Sequence, residues 1–163
     1  MVCEGQALAN SLGRQIRLIL IELDGLDDEV LNRELPFAPA NTMYQLGVHV
    51  AGSARWWVIT NSGGKDFHRN RPAEFIASGT GDDVRSDLQS LTRQVEEHLG
   101  SLSTDELDLP GAIESAGMSN WTGSWPLSRR DGVLHAIKHT AVHLGHIQLT
   151  RQIFGFSPPA EKE

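Results

Sequence analysis

The stretch Leu134-His135-Ala136-Ile137-Lys138-His139-Thr140-Ala141-Val142-His143-Leu144-Gly145-His146 carries four of the chain's seven histidines. At about 100° per helical residue, their spacing puts all four on an arc of roughly 80°. Imidazole nitrogens turned toward a protein interior are costly unless each finds a partner. A divalent cation serves two or three rings at once, and neutral imidazole is the commonest protein ligand for transition metals. The i, i+4 spacing lets two rings reach one ion. His139 with His143 has that spacing, and so, one turn earlier, has His135 with His139. A complete site needs a further ligand from another element.

The flanks of this stretch complete a helix. Ser128 with Asp131 makes a capping-box start, and Gly155 is a natural stop. Val133, Ala136, Ile137, Ala141, Val142, Leu144, Ile147, Leu149 and Ile153 are spread widely round the axis, the pattern of a central, largely buried helix. Three more helices are expected upstream. Leu8, Leu12, Ile16, Ile19, Leu20 and Leu23 recur at spacings of three and four, ending at Gly25. Asn41 is the expected N-cap of a second helix with Met43, Leu46, Val50, Ala54 and Trp57 inward, stopped at Asn61-Ser62-Gly63-Gly64. Thr80 and Asp83 open a third, whose apolar face is Val84, Leu88, Leu91, Val95 and Leu102. No stretch alternates as a strand does. The expected architecture is all-α, a single four-helix-bundle domain over 1–163 with helices at about 4–23, 42–61, 82–100 and 129–154.

His49 lies within the second helix and is the candidate third ligand; His98, at the edge of the third, reads as structural. Between the second and third helices the polar segment 65–81, broken by Pro72 and glycines, is long for a compact bundle, and such connections often have functional roles. Phe67 and Phe75-Ile76 are its expected anchors. Leu26 to Pro36 and Leu102 to Pro110 echo each other: after a helix comes an acidic turn, a proline, a loop and a histidine-bearing helix. The echo points to two similar helix pairs packed together. The segment 111–127 holds Trp121 and Trp125, which fold back over a cavity, pack at a subunit contact or plug one end of the bundle.

Composition narrows the partners. The chain has 163 residues and a formal charge of -7, with no cluster of Lys or Arg, which argues against nucleic acid. The longest aliphatic run, Leu18 to Ile21, is too short to span a bilayer. The N-terminus lacks a basic region followed by an apolar core, so a cytoplasmic protein is expected. Cys3 is the single cysteine, which excludes an internal disulfide and a thiolate cluster.

Three stretches resemble one family. Gly47-Val48-His49-Val50-Ala51-Gly52-Ser53-Ala54-Arg55-Trp56-Trp57 resembles the second-helix motif of the DinB-like bundle proteins. His139-Thr140-Ala141-Val142-His143-Leu144-Gly145-His146 is similar to their last-helix motif, His-x-x-x-His-x-Gly-Gln, departing from it at His146. Leu20-Ile21-Glu22-Leu23-Asp24-Gly25-Leu26-Asp27-Asp28-Glu29 is similar to the end of their first helix. The resemblance implies a bundle with a long crossover between its second and third helices, often a homodimer, with His49, His139 and His143 binding one divalent metal. It also implies, through family members that use mycothiol or bacillithiol, an S-transferase with a low-molecular-weight thiol as co-substrate.

A three-histidine ion keeps its full charge and an open position, as catalytic zinc sites do, and zinc is expected ahead of nickel. Two chemistries fit: attack of a bound thiol on a small electrophile, or hydrolysis of an ester or amide. A non-catalytic, metal-stabilised bundle with an association or stress role is the contrasting class. For catalysis, His146 and His135 are the candidates to orient a ligand ring or move a proton. Trp56, Trp121 and Trp125 are candidates to shape an apolar pocket, and Arg55 to meet a carboxylate of the thiol or substrate.

Overall fold

The computed structural model describes residues 3–37, 40–63, 67–113, 127–157 and 159. Among these the protein is all-α, with no strand. Four long helices build it: α1 (Glu4–Leu23), α3 (Met43–Ala54, extended by a π-helical segment, Arg55–Thr60), α5 (Gly81–Gly100) and α7 (Arg129–Ile153). Three single turns intervene: α2 (Asp28–Leu31), α4 (Arg71–Glu74) and α6 (Thr104–Asp108). No helix among the described residues is long and apolar enough to cross a membrane.

Helix starts follow local chemistry. Capping boxes at Thr42/Gln45, Thr80/Asp83, Ser103/Glu106 and Ser128/Asp131 satisfy the first free N–H groups reciprocally. The second long helix is therefore capped by Thr42 and not by Asn41, because only Thr42 has a Gln three residues on. Gly25, Gly63 and Gly155 take φ of 73°, 83° and 85° at the chain reversals, where any side chain would be strained.

α1 packs against α5 and α7, and α3 packs against the same two, so α1 and α3 sit across a diagonal. Their directions follow from end-to-end contacts. Gly5 lies on the Leu99 and Leu102 carbonyls and Arg85 donates to the Leu23 carbonyl, so α1 and α5 run antiparallel. Arg130 forks onto Glu4 and Arg151 donates to the Glu22 carbonyl at 2.6 Å, so α1 and α7 run parallel. Gly47 meets Val84 and Ser62 meets His98, which makes α3 and α5 parallel neighbours. A parallel pair consecutive in the chain needs a return connection along its length. This is the physical reason for the long crossover 61–80.

The core is one aliphatic cluster in which Leu12, Ile16, Ile19, Leu23, Leu88, Leu91, Val95 and Ile147 are fully buried. α7 departs from the expected pattern. Leu134, Val142 and Leu149 are 48%, 52% and 56% exposed, since α7 buries only the side facing α1 and α3. Its scattered apolar residues mark a one-sided helix, not a central one. On the crossover, Phe75 is half-buried but Ile76 is 82% exposed and anchors nothing.

The closest helix approach yields a stability prediction. A Cβ on Gly5 would lie 2.2 Å from the Leu99 carbonyl oxygen and 2.6 Å from that of Leu102. Both are backbone atoms that cannot swing aside. Gly5→Ala is expected to cost about 1–3 kcal/mol, the usual range for overpacking, despite alanine's better helix propensity. Urea unfolding of the two proteins checks this, and equal midpoints would refute the contact.

Candidate metal centre

His49 projects from the middle of α3 toward α7, its neighbour in the bundle. On α7, His139 and His143 lie one turn apart on the side facing it. The three rings converge: ring centroids are 4.9 Å apart for His49–His139, 4.9 Å for His49–His143 and 4.4 Å for His139–His143. His49 Nε2 is 3.2 Å from His139 Nε2, and His143 Nε2 is 3.1 Å from the same atom. One ligand atom from each residue lies within 4.8 Å of the other two.

The outer nitrogens decide what this cluster can hold. His49 Nδ1 is 2.7 Å from Glu74 Oε2. Burial works to raise the Glu74 pKa, but hydrogen bonds from His49 and Arg69 outweigh it and hold the carboxyl below its ordinary range. An ionised carboxylate only accepts, so Nδ1 is the donor in this contact and Nε2 is the nitrogen turned toward α7. His143 Nδ1 meets His146 Nδ1 at 3.4 Å, leaving its Nε2 for the cluster. His49 Nε2 and His143 Nε2 then both face His139 Nε2, and a single shared proton at that atom cannot serve both neighbours. A cation satisfies all three. Nitrogens sharing a tetrahedral zinc at about 2.1 Å lie roughly 3.4 Å apart, close to the separations here. The residues fit a divalent metal.

Protonation agrees. Burial first, then the neighbouring His143 and His49, pushes His139 down to about 3. Burial, then His49 and His146, pushes His143 down to about 4. Both rings are neutral at pH 7, the form a metal requires.

The other expected site residues divide. His135 stacks on His139 at 5.8 Å and lies tilted against Trp57 at 4.4 Å, one turn before the cluster and outside it. Of the two spacings open in the sequence, the structure gathers His139 with His143. His146 is exposed and touches the cluster only through His143. Trp56 stands edge-on to Trp57 at 5.1 Å, half-buried. Trp121 and Trp125 lie outside the described residues. Arg55 is committed elsewhere: it forks onto Asp87 at 2.6 and 3.1 Å and donates to Gln94 at 2.9 Å. That ties α3 to α5, on a different side of α3 from His49. His98 is held against Ser62, not the cluster.

Sequence reasoning missed Glu74 and Arg69, which the crossover brings beside His49. It also missed the π-helical segment at Arg55–Thr60, a form frequent at functional sites. This widened turn sets Trp57 over His135, and its Trp57 carbonyl comes so near α7 that a Cβ on Gly132 would lie 2.9 Å from it.

With this geometry established, comparison with known proteins is informative. A crystal structure titled as a conserved protein from Enterococcus faecalis superimposes with a TM-score of 0.67, covering 94% of this chain and 98% of that one. At 16% identity that likeness shows the fold alone. No curated protein matches the chain. The sequence model described as mycothiol-S-transferase matches residues 7–155, which takes in every long helix and all three converging histidines, and the chain therefore belongs to the mycothiol-S-transferase family, a DinB-like family.

Proposed function

We propose that the protein is a divalent-metal-dependent thiol S-transferase that joins a low-molecular-weight thiol to a small electrophile, with zinc as the metal. The observation that carries the reading is the convergence of three imidazole nitrogens within 4.8 Å in a chain of this family. In the reaction a sulfur–carbon bond forms, the bond from that carbon to its leaving group breaks, and the thiol proton departs with the leaving group. When bound, a divalent cation supplies a Lewis acid that favours the thiolate over the thiol.

The chain's own residues supply the rest. His49, His139 and His143 present their nitrogens from two neighbouring helices, so the site's spacing is set by helix packing and not by a loop. His146 orients the His143 ring through Nδ1 and offers an exposed imidazole able to relay the thiol proton to the leaving group. Phe75, 4.7 Å from the His49 ring, and the half-buried Trp56 give apolar surface for an electrophile.

The test pairs metal analysis with turnover. Tag-free protein is expected to carry about one zinc per chain. It is expected to form a thioether from mycothiol, bacillithiol or another small thiol and a chlorinated or epoxide electrophile, read by mass spectrometry. Chelation should stop turnover and zinc restore it. Ester or amide hydrolysis without thioether formation would transfer the assignment to a hydrolase. A full complement of metal with neither reaction would leave a metal-stabilised bundle.

A further inference from the structure

Glu74 and Arg69 lie on the crossover, on a different element from any of the three histidines, yet Glu74 is buried and Arg69 half-buried at the back of the cluster. Glu74 is 6% exposed and the Arg69 side chain 11%. Arg69 Nε donates to Glu74 Oε1 at 2.7 Å and Arg69 Nη2 to Oε2 at 2.8 Å, a two-pronged pair. The same Oε2 accepts from His49 Nδ1 at 2.7 Å. A buried ion pair is a poor device for stability, because desolvation consumes most of its attraction. Its retention calls for another reason.

The surroundings are built to deliver this carboxylate. The single turn α4 exists only as far as Glu74: Asn70 caps it by accepting from the Ala73 N–H, and Pro72 sits in its first turn. On α3, one turn beyond His49, Gly52 leaves the carboxylate its space; a Cβ there would lie 2.3 Å from Glu74 Oε1 and 3.1 Å from Cδ. Glu74 meets Nδ1, on the far side of the ring from the Nε2 that joins His139. It therefore does not share an ion with the three rings but acts through one of them.

We propose that Glu74, held by Arg69 and seated on Gly52, is the positioning residue of the metal centre, locking His49 in its Nδ1–H form with Nε2 aimed at the cation. The inference rests on the metal-binding reading above. A ring donating to a carboxylate is fixed in orientation and is a stronger electron donor at its other nitrogen. The crossover thus acts as a clamp on the α3 ligand, while on α7 helical spacing already pairs His139 with His143.

Three variants of the full chain test this: Gly52→Ala, which displaces the carboxylate without altering either charged group; Glu74→Gln; and the double variant Arg69→Met/Glu74→Met, which removes both charges together so that neither is left buried alone. Zinc affinity is measured by competition with a chelating dye, the cobalt-substituted forms by visible absorption, and the His49 tautomer in metal-free protein by imidazole 15N shifts. Each variant is expected to bind zinc about 10–100-fold more weakly, with a changed cobalt spectrum and a mixed His49 tautomer, while circular dichroism shows the helices retained. Wild-type affinity and an unmixed tautomer in Gly52→Ala and in the double variant would overturn the positioning role, provided His49→Ala has lost the metal. If His49→Ala binds zinc as wild type does, the metal-centre reading falls first and this inference with it.

Discussion

Replacing His139 with alanine is expected to reduce bound divalent metal from about one per chain to background. His139 is the middle of the cluster, its Nε2 within 3.2 Å of His49 Nε2 and 3.1 Å of His143 Nε2. Without it two rings remain, too few protein ligands for a catalytic metal site. Zinc binding to complete protein sites is worth about 10–16 kcal/mol, so one ligand carries roughly 3–4 kcal/mol, and its loss weakens binding roughly 100- to 1,000-fold. Elemental analysis after gel filtration, with calorimetric titration of zinc, reads the effect. The contrasting variant is His135→Ala, whose ring stacks on His139 but stands outside the group of converging nitrogens; it is expected to keep its metal. One equivalent of zinc retained in His139→Ala would refute the site.

The second large effect is on the metal-free protein in acid. His139 is pushed down to about 3 and His143 to about 4, while the ordinary value of the unfolded ring is 6.5. Between those limits the unfolded chain binds protons that the folded chain refuses, so stability falls as pH falls. The contribution is complete above about pH 6.5, drains away through the window below it, and levels off near pH 3 once the folded rings are also charged. Solvent reaching these half-buried rings keeps the loss between pH 7 and 4 to on the order of 3 kcal/mol. Urea unfolding of chelator-treated protein across this range checks it. A His139→Phe/His143→Leu variant should show a visibly flatter curve, and parallel curves for the two proteins would remove the histidines as the cause.

Much of the bundle could be read from the chain because its signals are local. Leu12, Ile16, Ile19 and Leu23 on α1, and Val84, Leu88, Leu91 and Val95 on α5, repeat at helical spacing and are all buried. The capping pairs Thr80/Asp83 and Ser128/Asp131 act over three residues and appear where composition places them. His139 and His143 share a helix face by spacing alone. What stayed hidden depends on distant chain segments meeting. Nothing in Arg69 to Glu74 announces that a single turn will lay a carboxylate against an imidazole on α3. Arg55 belongs to the same motif as His49, yet helical rotation carries it to Asp87 on α5. The breadth of apolar residues on α7 looked like full burial, because composition counts a side chain without saying which neighbour covers it. The π-helical run Arg55–Thr60 likewise has no marker such as proline or glycine to betray its extra width.

Asn61 has a consequence of another kind. Fully buried, it accepts from the Ala112 N–H through its carbonyl at 2.8 Å and from the Ile113 N–H through Oδ1, and its amide donates to the Ser128 carbonyl. Beside it, the Gly111 N–H donates to the Leu127 carbonyl at 2.7 Å and the Arg129 N–H to the Leu109 carbonyl at 2.9 Å. The two chain ends flanking residues 114–126 are thereby sewn together before α7 begins. Such a seam fixes the point at which α7 sets out, and with it the level along the bundle at which the imidazoles meet.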